Sequence, residues 1–233
     1  NLLIDLKKHI ETHLDFPKPG ILFYDISSLM VNTEIWQETI NQFSTLVKKY
    51  NPEVLAGIES RGFIFASTIG YKLGCNVVMI RKKGKLPGKT ISHTYELEYG
   101  KDCLEIQKRD TLKNKKTVLI DDLLATGGTA DTAIKLLEKI EVNISAFACL
   151  IELTNLKGRN KITVKTDFFI TNLPSDVFMK DIKGMIELSQ NLISEIRNTN
   201  KPHAIQIKVN RLCAHSKGDD VNKNKIFKNI EDP

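Results

Sequence analysis

A chain of 233 residues with 41% hydrophobic content is long enough to bury one sizeable core. Its four cysteines, Cys75, Cys103, Cys149 and Cys213, include no CxxC pair and lie too far apart for a dense disulfide framework, which excludes the small secreted scaffolds and fits a reducing compartment. The net charge of +6 is concentrated at one end: residues 197–233 hold eight Lys/Arg against four Asp/Glu, leaving 26 against 24 upstream. No apolar run approaches the roughly 20 residues of a membrane span, and the start "NLLIDLKKHIETHL" is amphipathic rather than signal-like. A soluble, cytosolic protein with neither a membrane nor a nucleic-acid partner is expected.

In chain order, Leu2 to Leu14 reads as an amphipathic helix, with Leu3, Leu6, Ile10 and Leu14 at helical spacing. "FPKPGILFYDI" breaks it with two prolines and a glycine. A second long helix follows from about Thr33, carrying Ile35, Trp36, Ile40, Phe43 and Val47. After Pro52 the order becomes regular. "VLAGI" reads as a strand, "FIFASTIGYKLG" as a helix closed by Gly74, and "NVVMI" as a strand; "TVLI", "TADTAIKLLEKI" and "ISAFACLIEL" repeat the cycle. Two strand–helix–strand units predict an α/β fold with a central, mostly parallel twisted sheet flanked by helices. The segment between them, "RKKGKLPGKTISHTYELEYGKDCLEIQKRDTLKNKK", mixes glycines and charges with short alternating runs and reads as a long hairpin serving as a flexible lid over about residues 82–106. The expected organisation is one domain over 1–196, with a small hood over about 1–32. Residues 197–233, rich in Asn and Lys, are expected to be a solvated extension.

The chemistry concentrates in "VLIDDLLATGGTA", residues 118–130. Asp121 and Asp122 follow an apolar run, and "ATGGT" turns into a helix. Gly127 and Gly128 let backbone N–H groups converge on an oxyanion, Thr126 and Thr129 add hydroxyl donors, and the helix start contributes its positive dipole end. Carboxylates beside such a turn would repel a bare polyphosphate. They suit a sugar whose phosphate sits in the turn while its vicinal hydroxyls meet the acids, which describes a ribose 5-phosphate. Neither GxxxxGK[ST] nor GxGxxG occurs, so triphosphatase and dinucleotide-binding fingerprints are missing. His9 and His13 would lie one turn apart on the first helix; lacking a nearby carboxylate or cysteine pattern, they read as surface residues.

This stretch resembles the phosphoribosyl-pyrophosphate (PRPP) signature of the type I phosphoribosyltransferases. "FPKPGILFYDI", "GIESRGFIFA", the lid segment with "GKLPG" and "LEYG", and "IELTNLKGR" agree in order, covering roughly Phe16 to Arg159, and narrow the resemblance to the adenine-specific branch. Members for 6-oxopurines place an aspartate where Ala125 stands. The resemblance implies transfer of ribose 5-phosphate from PRPP to adenine, giving AMP and pyrophosphate in purine salvage, with Mg²⁺ held mainly by PRPP or pyrophosphate oxygens and no direct protein metal ligand. It implies a homodimer. It assigns PRPP to Asp121, Asp122, Ala125 to Thr129, Glu59, Ser60, Arg61, Arg81 and Lys85, with a strained turn about Glu59 and Ser60. Catalytic roles fall to Arg61 and Lys85 on the leaving group and to Glu98 on the purine's proton. Adenine is assigned to the backbone around Leu22 and Tyr24, with Phe16 and Leu156 packing near the ring; arginine is the common residue where Tyr24 stands. The alternatives are transfer to another purine, against which Ala125 argues, and a PRPP-sensing regulator, which would need a DNA-reading element. The 15 residues before Phe16 are too few for a winged helix.

Overall fold

The computed structural model describes residues 4–97 and 100–170. Among them Leu14–Phe23 form part of a second compact unit, and the remainder belongs to the first. The extension expected over 197–233 lies outside the described residues.

The predicted helix over Leu2 to Leu14 does not form. Asp5 caps a single 3₁₀ turn, Leu6–His9, that buries Leu6, and the chain then extends into β1 (Glu11–Leu14), which makes a two-stranded sheet with β2 (Leu22–Asp25). The apolar spacing that suggested a helix is too short to nucleate one, and strand pairing satisfies the backbone instead. A short helix, α1 (Ser27–Met30), precedes α2 (Thr33–Lys48). Asn32 Oδ1 caps α2 by accepting from the N–H groups of Glu34 and Ile35 at 3.0 and 3.1 Å. Its buried stripe, Ile35, Ile40, Phe43 and Val47, is the one that sequence periodicity marks.

The main sheet has seven strands in the order β5-β6-β4-β3-β7-β8-β9. β3 (Val54–Ile58) leads into α3 (Arg61–Leu73), which stops at left-handed Gly74 before β4 (Asn76–Lys82). β5 (Thr90–Leu97) and β6 (Gly100–Gln107) are the hairpin expected of the lid segment, and β6 pairs antiparallel with β4, so its base is built into the sheet edge. β7 (Lys116–Leu124), α4 (Gly128–Lys139) and β8 (Asn143–Glu152) form the second unit, and a strand not anticipated, β9 (Thr166–Ile170), adds in parallel to β8.

β3 and β7 are parallel neighbours, yet the chain leaves β3 toward β4 on one side and β7 toward β8 on the other. Right-handed crossovers in opposite directions put α3 and α4 on opposite faces. Strand alternation supplies a core for each: Val54, Ala56, Ile58 and Leu119 pack with Ala133, Ile134 and Leu137 of α4, while buried Phe43 of α2 and Phe65 of α3 meet at a tilt with ring centroids 5.6 Å apart. Each such large apolar side chain contributes about 1.5–3 kcal/mol by leaving water. The divergence also opens a crevice at the carboxyl ends of β3 and β7, where parallel sheets of this kind bind ligands.

Candidate active site

β3 stops pairing with β7 at Gly57 opposite Ile120, whereas β7 continues beside β8 through Asp121, Leu123 and Leu124. Both acids therefore lie where β7 has lost one neighbour. The start of α3 fills part of that space, and it can do so because residue 62 is glycine: a Cβ there would lie 2.8 Å from the Ile120 carbonyl oxygen and 3.1 Å from Asp121 Oδ1. Arg61 consequently reaches Asp122, its Nε 2.8 Å from Oδ2, an ion pair without the alignment of a hydrogen bond. Asp122 is 5% exposed, and the guanidinium is the cation beside it. Asp121 is half-buried and its Oδ1 accepts from the Asp122 N–H at 2.9 Å. Burial, and next the adjacent Asp122 carboxylate, push the Asp121 carboxyl well above its ordinary pKa. Asp122 is paired with arginine while burial favours the neutral form of Asp121, so the pair presents carboxyl oxygens that can bond to hydroxyls.

After Leu124 the chain makes the turn Ala125–Gly128 into α4. Gly127 has φ +84°, a left-handed conformation that suits glycine, and no side chain caps the helix. The first amides of α4 have no intrahelical acceptors and are available to an anion, with Thr126 exposed and Thr129 half-buried beside them.

The second cluster begins in the turn after β3. The Glu59–Ser60 peptide bond is cis, and Ser60 stands at the start of α3. Glu59 gathers three donors: Lys85 Nζ at 2.6 Å, the Lys82 N–H at 2.9 Å and Arg81 Nη2 at 3.4 Å. Burial opposes its charge, but the hydrogen bonds from Lys85, Lys82 and Arg81 prevail and lower its pKa to about 2. Arg81 Nη1 also donates to the Lys85 carbonyl at 3.1 Å, while its buried Nε finds no acceptor among the described residues. Buried Glu105 of β6 accepts the N–H groups of Lys85 and Leu86 at 3.0 and 2.9 Å, fixing the base of the hairpin. Arg81 and Lys85, both assigned to PRPP by the resemblance, thus lie around one carboxylate. The carboxylates that organise them, Glu59 through its side chain and Glu105, were not foreseen; a pairing across some 20 residues leaves no local signal. Glu98 lies outside the described residues.

Of the residues assigned to the base, Tyr24 is buried, which raises its phenol pKa to about 12. Leu156 ends a 3₁₀ turn after β8 and is exposed. In the second unit Phe16 meets Phe23 edge-on at 5.0 Å, and Leu22 opens β2. His93 faces α4, with Nδ1 3.0 Å from Lys139 Nζ. His13 has the carboxylate neighbours that the sequence did not reveal: one ligand atom each from Glu11, His13 and Asp25 lie within 4.8 Å of one another on the small sheet. No helix among the described residues is long and apolar enough to cross a membrane.

The phosphoribosyl transferase domain family matches residues 26–202. The chain is 50% identical over 167 residues to the adenine phosphoribosyltransferase of Rhodospirillum rubrum, covering 72% of this chain and 98% of that protein. Its fold resembles that of Saccharomyces cerevisiae adenine phosphoribosyltransferase complexed with adenine and an imino-altritol bisphosphate, with TM-score 0.69, 36% identity, and 71% and 96% of the two chains covered. It also resembles the Trypanosoma brucei adenine phosphoribosyl transferase solved with AMP, pyrophosphate and ribose 5-phosphate, at TM-score 0.65 and 25% identity over 71% of this chain and 78% of that one. The acid pair and anion turn at the sheet's switch point are therefore set in a chain that belongs to the phosphoribosyltransferase family, among the adenine phosphoribosyltransferases.

Proposed function

We propose that this chain transfers the 5-phosphoribosyl group of PRPP to N9 of adenine, releasing AMP and pyrophosphate in purine salvage. The observation that carries this reading is the meeting, at the end of β7, of a carboxyl pair with a glycine turn that offers free helix amides. The turn takes the 5-phosphate, which keeps its charge throughout the reaction, and Asp121 and Asp122 take the ribose hydroxyls. Breaking the C1′–O bond leaves positive charge on the ribose and negative charge on pyrophosphate. Arg61, Arg81 and Lys85 meet the negative charge.

The donor set fits Mg²⁺ held by substrate oxygens: Asp122 is paired with Arg61, and burial beside Asp122 disfavours the charged form of Asp121. When bound, Mg²⁺ neutralises part of the pyrophosphate charge. Ala125 offers no carboxylate for proton exchange, so the proton lost by the purine passes to Glu98 of the lid, whose closure excludes water from C1′. The adenine edge sets an amino donor beside an N1 acceptor, a pattern that main-chain groups can read; the family resemblance assigns that reading to Leu22 and Tyr24 and the ring packing to Phe16 and Leu156. A cytoplasmic homodimer completes the reading. Val77 and Met79, two apart on β4, leave apolar surface uncovered on an inner strand, as do Tyr71 and Val31 elsewhere.

Incubation of the full chain with adenine, PRPP and Mg²⁺ should yield AMP and pyrophosphate in equal amounts. Absence of AMP from folded protein would overturn the reading. Glu98→Ala should lower turnover when chemistry is rate-limiting, and unchanged turnover would remove Glu98 from the mechanism.

A further inference from the structure

The turn proposed to hold the 5-phosphate is backed by another stretch of main chain. At Gly127 a Cβ would lie 2.5 Å from the Gly158 carbonyl oxygen, and at Gly158 a Cβ would run into the Ala125 carbonyl oxygen and come within 3.0 Å of the Gly127 nitrogen. The two glycines interlock backbone against backbone. No side chain could be inserted at either position without moving the loop.

The residues around Gly158 are tied down on both sides. β8 ends with Glu152 opposite Leu124 of β7, and the Leu153 N–H donates to the Leu124 carbonyl at 3.0 Å, so the two chains leave the sheet together. The chain then turns back through left-handed Lys157. Arg159, next to Gly158, donates through Nε to Glu152 Oε1 at 3.0 Å and through Nη2 to Oε2 at 2.5 Å, a two-pronged pairing with a carboxylate that is 4% exposed. The other face of the guanidinium lies over the Phe168 ring of β9, 4.4 Å from its centroid. The guanidinium, half exposed, is thus held on its edge by Glu152 and covered on its face by Phe168, in the residue next to Gly158.

We propose that the Glu152–Arg159 pair is a positioning device for the 5-phosphate turn: it presses Gly158 against Ala125 and Gly127 and so keeps the α4 amides aimed at the phosphate. This rests on the phosphoribosyl transfer proposed above. Arg159 itself touches no substrate in this account.

A weakened fold would impair every ligand, whereas a loosened turn should impair only ligands that carry the 5-phosphate. Calorimetric titration of the full chain with ribose 5-phosphate and, separately, with pyrophosphate tells these apart. The double variant Glu152→Gln/Arg159→Met removes the pair without stranding a buried charge. It should bind ribose 5-phosphate about tenfold more weakly, the scale of a charge-assisted hydrogen bond misaligned, and pyrophosphate within about twofold of the original chain, as expected of a separate site. Arg159→Lys, which keeps the charge but has no fork, should fall between, and Gly158→Ala should repeat the selective loss. If Gly158→Ala does not fold, the double variant decides alone. Equal loss of both ligands, or unchanged ribose 5-phosphate binding, would overturn the positioning role. An original chain that forms AMP but shows no such selectivity on mutation defeats only this inference; one that neither forms AMP nor binds ribose 5-phosphate defeats the phosphoribosyl reading with it.

Discussion

The two anion sites proposed in this crevice are built in opposite ways. The 5-phosphate turn is made of main chain, Gly127 interlocked with Gly158, and offers amides whose direction the packing determines. The pyrophosphate cradle is made of long side chains, Arg81 and Lys85, that already have a partner in Glu59. The difference matches what each must do. A phosphate that stays with the product can be held by a rigid backbone site, whereas a leaving group needs cations that can be handed over and taken back. In this structure Glu59 is the counter-ion of both cations, the role its proposed exchange with pyrophosphate requires.

That contrast can be broken most severely at the rigid site. Gly127→Ala adds a Cβ to a left-handed residue and drives it toward the Gly158 carbonyl, and the kcat/KM for PRPP should fall by about 100-fold or more, measured by steady-state kinetics. In the cradle, Lys85→Ala removes one mobile cation. The kcat/KM should fall by about tenfold while ribose 5-phosphate binding is unchanged, since the loss is one charge-assisted hydrogen bond and the turn is untouched.

Glu59→Gln tests the counter-ion. The Glu59 pKa is depressed to about 2 in the folded chain, so its contribution to stability is full above the ordinary glutamate pKa and is lost as the pH falls toward about 2. In denaturant melts the original chain should therefore exceed Glu59→Gln in stability at neutral pH, and the gap should close with acidification. A gap independent of pH would mean that packing, not charge, makes the difference. The smallest effect is expected of His93→Ala. His93 belongs to the same hairpin but turns to Lys139 on α4, and burial and that ammonium lower its pKa. Its loss should leave kcat/KM within about twofold, as for a surface change remote from the site, marking the limit of the cradle.

The two regions also differed in how far the sequence disclosed them. Asp121, Asp122 and the turn after them are contiguous, and glycine, acid and hydroxyl residues in sequence imply a backbone nest whatever surrounds it. The alternation of apolar runs with helical periodicity similarly revealed β3, α3, β4, β7, α4 and β8, because each buries a pattern it carries itself. Gly158 was legible only as part of a family resemblance, since its close approach to Ala125 is a tertiary contact. Glu59 and Glu105 were hidden as organisers of Lys85 for the same reason, their partners lying 26 and 20 residues away. Leu6 to Leu14 shows the converse failure: apolar spacing suited to a helix was overruled by pairing with Leu22–Asp25.

The most direct test supplies equal concentrations of adenine, hypoxanthine and guanine to the full chain with limiting PRPP and Mg²⁺ and resolves the nucleotides over time. AMP should account for the product, accompanied by pyrophosphate. Comparable IMP or GMP, or PRPP left unconsumed by folded protein, would contradict the account.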